Sequence, residues 1–217
     1  MKSSVFTATF SFLMVSVGIA QQPLRFEEEI EAIQEKYDTV FDASQETLVF
    51  TGSSSIRMWD EVQQKFPDHR VVNTGFGGSQ ASDLSYYIYD LILRFHPKKV
   101  FIYEGDNDVF AEKSPDQIKK DLQQIIDGIH RNSPDTQVVL IAAKPSIARW
   151  SLKGKYKRLN RKLKRLADDH PLVAYADVWN PMLDGSKVKQ DIFIGDGLHM
   201  NAKGYQIWYT VLEPFVN

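Results

Sequence analysis

The sequence predicts a single α/β domain built on a parallel sheet with helices on both faces. Three observations predict it. Five short, continuously apolar runs alternate with longer helix-like stretches, and the runs are of the fully buried kind that parallel sheets require. The chain has 217 residues, enough for one sizeable core and too few for two ordinary domains to be the favoured reading. With 43% hydrophobic and 25% charged residues it has the apolar material for that core and is not a disordered chain.

Taken in order, residues 1–20 carry one charge, Lys2, followed by an apolar run from Val5 to Ile19 and small residues at Gly18 and Ala20. A cleaved export signal is the favoured reading, because Thr7, Thr9, Ser11 and Ser16 interrupt a run that is already short for a bilayer span. The mature domain is then 21–217, in a periplasmic or secreted location, with 21–45 forming a cover helix and lead-in. In Gln21–Asp38, the residues Phe26, Ile30, Ile33 and Tyr37 share one helical face. Strands follow at Glu46–Gly52, Arg70–Gly75, Lys98–Glu104, Thr136–Ala142 and Leu172–Val178, with helices near 55–66, 79–96, 115–131, 150–169 and 202–213. Each crossover must return the chain to the same end of the sheet, so ligands belong at the carboxyl ends of the strands.

Composition limits the chemistry available there. The chain has no cysteine, which excludes a disulfide framework, a thiolate metal site, an iron–sulfur cluster and a thiol nucleophile. A formal charge of −2 gives no global reason to bind nucleic acid or an anionic membrane. The residue types left are Ser, His, Asp, Glu, Asn and the backbone.

Four strand-end segments supply them. The first strand runs into Thr51-Gly52-Ser53-Ser54-Ser55, where a hydroxyl can face the crevice or merely cap a helix. The second ends in Asn73-Thr74-Gly75-Phe76-Gly77-Gly78-Ser79. Gln80 breaks the dinucleotide pattern, and the alternative use of such a corner is to present an N–H to an oxyanion. The third ends in Glu104-Gly105-Asp106-Asn107-Asp108, open to reading as an Asx-rich turn, a metal loop without calcium-loop spacing, or an amide donor at Asn107. Before the last helix stands Asp196-Gly197-Leu198-His199, where a carboxylate and an imidazole three residues apart can meet. His69, His96 and His170 precede or sit near helix ends and read as structural or solvated, and His130 sits on a helix.

These four blocks, from about Leu48 to Tyr205, resemble those of the SGNH hydrolases, the GDSL-type esterases and lipases, including their platelet-activating-factor acetylhydrolase-like branch. The resemblance implies a flavodoxin-like three-layer α/β/α domain with a five-stranded parallel sheet in the order 2-1-3-4-5. It also implies a nucleophile at Ser54, an Asp196–His199 pair, and an oxyanion hole from Ser54, Gly78 and Asn107. Ser53 and Ser55 replace the family's aspartate and leucine around the nucleophile, and Ser79 replaces its usual acid after the glycine pair. The implied activity is hydrolysis of carboxylic esters through an acyl-enzyme, without metal or organic cofactor.

The substrate expected is a short-chain acyl ester, such as acetyl on a carbohydrate or other small molecule. The alternative is a lysophospholipase or a lipid esterase of the platelet-activating-factor acetylhydrolase kind, and a non-catalytic secreted glycan-binding module is a further one. Arg57, Phe76 and Trp150 lie where they could touch substrate or simply pack. The nine Lys or Arg residues between Arg149 and Arg165 form either an anionic-surface site or the solvated face of an amphipathic helix. No stable membrane insertion is expected, and the oligomeric state is left open.

Overall fold

The structure, a computed structural model, describes residues 23–38 and 46–216. The expected export signal at 1–20 and part of the lead-in to residue 45 lie outside the described residues. A 3-10 turn at Pro23–Phe26 leads into α1 (Glu27–Asp38), then β1 (Thr47–Gly52), the short helices α2 (Ser54–Arg57) and α3 (Val62–Lys65), and β2 (Arg70–Gly75). Next come α4 (Ala81–Tyr86), α5 (Ile88–Leu91), β3 (Lys99–Tyr103), α6 (Asp106–Phe110), α7 (Pro115–Asn132) and β4 (Gln137–Ile141). The chain continues through α8 (Lys153–Asp168), β5 (Val173–Ala176), a small hairpin of β6 (Leu183–Asp184) and β7 (Lys187–Val188), and α9 (Ala202–Leu212).

The five main strands pair in parallel in the order β2-β1-β3-β4-β5, as expected. All residues of β1 and β3 are buried, which explains why those runs are apolar without alternation. In register across the sheet, the Phe50 and Phe101 rings stack with centroids 4.2 Å apart. Helix α7 packs between α4 and α8 in one layer. In the other, Trp59 and Phe66 meet Tyr205, Trp208 and Tyr209 of α9 and fold over Phe50. The cover helix buries Phe26, Ile30 and Ile33, and Tyr37 packs partly buried beside them, the face predicted from their spacing.

Register also sets the site. Gly52 pairs with Gly75 on one side and with Tyr103 on the other, so β2, β1 and β3 end on one line. Their following loops therefore emerge at the same level.

The helical stretches are more broken than the sequence predicts. The stretch expected at 55–66 is two short helices because Asn73 Nδ2 donates to the carbonyls of Ile56 (2.8 Å) and Trp59 (3.3 Å), capturing oxygens that would continue a helix. Between 79 and 96 the chain forms α4, α5 and a 3-10 turn, and the Thr74 hydroxyl takes the Leu91 carbonyl at 2.9 Å. The turn expected after β3 is the short helix α6, and residues 150–152 are a 3-10 turn ahead of α8. Strand β5 is shorter than expected, four residues at the sheet edge.

Candidate active site

The Ser54 position begins with a backbone constraint. Gly52 has φ +118°, and a Cβ there would stand 2.1 Å from the Tyr103 carbonyl oxygen, so glycine is required for the two strand ends to approach. Ser53 N–H then donates to that carbonyl at 3.0 Å. Ser53 and Ser55 are buried, whereas Ser54 is partly exposed as the first residue of α2. Its Oγ lies 2.9 Å from His199 Nε2. Ser53 occupies the helix-capping position, but its side chain makes no capping bond.

The imidazole arrives on a tight turn. Phe193 and Met200 form an antiparallel bridge, Ile194 N–H donates to the His199 carbonyl at 2.9 Å, and Gly197 N–H returns to Ile194 at 3.0 Å. Inside the turn, Asp196 accepts from the backbone N–H groups of Leu198 (2.8 Å) and His199 (2.9 Å) through one oxygen and meets His199 Nδ1 at 2.5 Å through the other. Burial would raise the Asp196 carboxyl, but these hydrogen bonds outweigh it and hold the group at about 2. An anionic Asp196 fixes the Nδ1 proton and leaves Nε2 as the nitrogen facing Ser54.

In the loop after β2 stands Gly78, with φ +72° and nothing within 4 Å of where a Cβ would be. Asn107, near the start of α6, donates from Nδ2 to the Ser79 carbonyl at 2.8 Å, so its amide stands against the glycine loop. Thus Ser54, Asp196 and His199 are joined by hydrogen bonds, and Asn107 is tied to the Gly78–Ser79 corner.

Behind Asn107 lies a polar network that motif reading missed. Arg149 Nη1 donates to Asn107 Oδ1 at 3.1 Å and to Asp106 Oδ1 at 2.6 Å, with only 11% of its side chain exposed. The Phe110 ring lies 4.4 Å from the guanidinium carbon. Asp106 Oδ1 also accepts from the Tyr156 hydroxyl, while Oδ2 accepts from the Tyr103 hydroxyl (2.8 Å) and lies 3.5 Å from Lys144 Nζ. Burial opposes ionisation of Asp106, yet Lys144 and Arg149 pull its pKa below the ordinary value. Lys144, itself fully buried, donates to the Leu198 carbonyl at 2.7 Å and so ties the histidine turn to the same carboxylate. Only a long-range signal, such as an unpaired Lys144 in an apolar strand end, could have pointed here.

A second carboxyl lies under the glycine corner. Ser79 Oγ donates to Glu104 Oε1 at 2.6 Å, while Glu104 Oε2 is buried without a hydrogen-bond partner. Burial and nearby Asp108 raise the Glu104 pKa well above its ordinary value. The metal-loop alternative loses its donors. Asp108 binds Ala81 N–H and Lys113, Asp106 binds its own cations, and no metal-holding group of three or more acids or histidines occurs among the described residues.

Of the residues expected to touch substrate, Phe76 is corrected. It is fully buried, edge-on to Phe26 at 4.9 Å and to Tyr87 at 6.4 Å, because its side chain points from the strand end back into the core. Arg57 is exposed, pairs with Glu29 at 3.2 Å and lies against Gly77. Trp150 is partly buried and stacks on Trp179 at 6.1 Å. His130, on α7 as expected, stacks on His170 at 4.8 Å and binds the Thr136 carbonyl. Three exposed apolar side chains flank the site: Phe110 on α6, Ile147 against Gly197, and Ile194 at the base of the histidine turn.

Fold and site together define a three-layer α/β/α protein with a serine–histidine–aspartate line at the carboxyl ends of its strands. Residues 27–207 match the model of the GDSL-like lipase/acylhydrolase family, and the chain belongs to that family of carboxylic ester hydrolases. Among solved structures it is similar to a Streptococcus pneumonia protein provisionally described as a platelet activating factor, at 23% identity and TM-score 0.77, over 89% of this chain and 95% of that one. It is also similar to a GDSL-like lipase from Bacteroides thetaiotaomicron, at 18% identity and TM-score 0.71, over 84% and 96% of the two chains. A carbohydrate esterase family 3 protein from Talaromyces cellulolyticus aligns at 18% identity and TM-score 0.65, over 79% and 96%. Comparison with curated proteins gives no match. Among the described residues no helix is long and apolar enough to cross a membrane.

Proposed function

We propose that Ser54 is the nucleophile of an acyl-transfer cycle, and the observation that carries this reading is the Ser54–His199–Asp196 line with its 2.9 and 2.5 Å contacts. As Ser54 Oγ bonds to the ester carbonyl carbon, His199 Nε2 takes the hydroxyl proton and Asp196 balances the imidazolium. The carbonyl oxygen becomes an oxyanion facing the N–H groups of Ser54 and Gly78 and the amide of Asn107. Collapse expels the alcohol, which takes the proton from His199. Water then repeats the sequence on the acyl-enzyme and releases the acid.

For the substrate we favour an amphiphilic ester of the lysophospholipid or platelet-activating-factor kind. Phe110, Ile147 and Ile194, exposed by 61%, 38% and 43%, offer an apolar rim around the crevice, and the likeness to the S. pneumonia protein supports the same reading. Acetyl esters of carbohydrates are the second reading, favoured by the likeness to the carbohydrate esterase. Fluorophosphonate labelling and aryl acetate turnover test the nucleophile: both should vanish in Ser54→Ala, and label on Ser53 or Ser55 would refute the assignment. A lyso- or acetyl-glycerophospholipid assayed beside an acetylated sugar decides the substrate, and faster turnover of the sugar ester would overturn the lipid preference. We also propose export by residues 1–20, for which an exported mature chain beginning at Gln21 is the expected product in N-terminal sequencing.

A further inference from the structure

The basic stretch from Arg149 to Arg165 is not used up by the catalytic reading, which draws only on its first residue. Its other cations have different fates. Lys162 pairs with Asp116 at 2.6 Å, Lys164 pairs with Asp168 at 3.0 Å, and Lys153 lies over the Trp150 ring at 4.9 Å. Lys157 and Arg161 have no hydrogen-bond or ion-pair partner among the described residues. They stand about one turn apart on α8, and with Lys164 they line a cleft of about 280 Å³ faced by Tyr175, Asp177 and Trp179 from the end of β5.

The carboxylate of this cleft is already occupied. Asp177 accepts from the N–H groups of Trp179 (3.0 Å) and Asn180 (3.3 Å) and from Asn180 Nδ2 (2.5 Å). Asn160, on the same wall, spends both ends of its amide on Ala143, each at 2.9 Å. Among the described residues, the unpaired donors are the Lys157 ammonium, the Arg161 guanidinium and the Tyr175 hydroxyl. The Trp179 indole N–H is buried without a partner at the same wall. Burial, then Asp177, pushes the Tyr175 hydroxyl above its ordinary pKa, so it remains a donor.

Lys164 is met by Asp168, so Lys157 and Arg161 are two unpaired cations facing one satisfied carboxylate, an excess of positive charge. A ligand that completes the cleft must bring oxygen acceptors and negative charge. The volume is at the small end of ligand sites, which span roughly 300–1,000 Å³, so it suits a single compact group rather than a polymer. We propose that this cleft binds a phosphate or sulfate ester of a small molecule about the size of one sugar, with Lys157 and Arg161 holding the oxyanion. None of its lining residues belongs to the triad, although Trp179 stacks on Trp150, the neighbour of Arg149. The inference therefore goes beyond the catalytic reading and stands or falls separately from it.

The test is direct titration of the full chain at physiological salt, by calorimetry or tryptophan fluorescence, with glucose 6-phosphate, glucose 6-sulfate and unmodified glucose. Saturable binding of a charged ester but not of glucose is expected, weakened at least about tenfold in Lys157→Gln/Arg161→Gln and unchanged in Lys162→Gln. Inorganic phosphate separates the sources: equal affinity assigns the site to the free anion, and weaker affinity assigns it to the ester. The proposal is overturned by unchanged binding in the double variant, by no saturation up to about 10 mM, or by binding confined to anionic vesicles.

Discussion

Removing the Arg149 guanidinium probes how the Asn107 amide is held. The amide has two anchors, the Ser79 carbonyl on its nitrogen at 2.8 Å and Arg149 on its oxygen at 3.1 Å. The first is a neutral hydrogen bond worth about 1 kcal/mol, and the second has a charged donor and is worth about 1.5–3 kcal/mol. The guanidinium charge is largely balanced by Asp106 at 2.6 Å, so its field at the oxyanion is small and its influence passes through the amide. Arg149→Met should therefore lower kcat roughly ten- to a hundredfold with little change in KM, bounded by the ~2.7–4 kcal/mol that one oxyanion donor supplies. The decisive assay is a double-mutant cycle on aryl acetate, with thermal melts confirming that each variant is folded. In an Asn107→Ala background the Arg149 substitution should cost less than about threefold, because the group it positions is gone. Arg149→Lys should fall between wild type and Met. Losses that simply multiply would show that Arg149 does not act through Asn107 and would refute the argument.

Three further outcomes follow from buried groups. Lys144→Met should destabilise the fold by about 3 kcal/mol in urea unfolding, the low end for breaking a buried pair because Arg149 still meets Asp106; a loss under about 1 kcal/mol would contradict the network. Glu104→Gln should flatten the dependence of stability on pH. The folded pKa of Glu104 is raised, so its contribution is complete below the ordinary carboxylate range and is lost as pH rises through the folded value; an unchanged decline above the ordinary carboxylate range would assign the effect elsewhere. Gly52→Ala should cost at least ~3 kcal/mol, since the new Cβ meets the Tyr103 oxygen at a backbone angle unsuited to alanine, and a near-neutral melt would overturn that reading.

Much of this molecule is legible in the chain because its information is local. Continuous apolar runs report burial on both faces of a strand, and the residues directly after those runs report the crevice. That is why Asn107 and the Asp196–His199 pair stand out block by block, whereas Ser54 among its neighbouring serines and Gly78 among its neighbouring glycines are singled out only by the family resemblance. What was not legible depends on groups far apart in sequence. Asn73 and Thr74 break helices by capturing carbonyls about 14 to 17 residues earlier or later, which no helical periodicity can anticipate. Arg149 and Lys144 belong to the site only because β4 lies beside β3, and their partner Asp106 looked like an ordinary turn residue. Phe76 misled for the opposite reason: an aromatic beside a glycine loop has the same local signature whether it faces ligand or core.

The two halves of the active site are anchored by different means. Ser54, Gly78 and Asn107 follow three strands locked to one another by a continuous backbone ladder. The histidine turn is attached by a few single bonds, from Lys144 to Leu198, from Ala148 to Gly197 and within the turn itself. Opening that turn requires far less disruption than parting the strands. Warming should thus release the histidine turn first, leaving a still-folded protein in which Gly78 and Asn107 keep their places and Ser54 has lost its contact with His199.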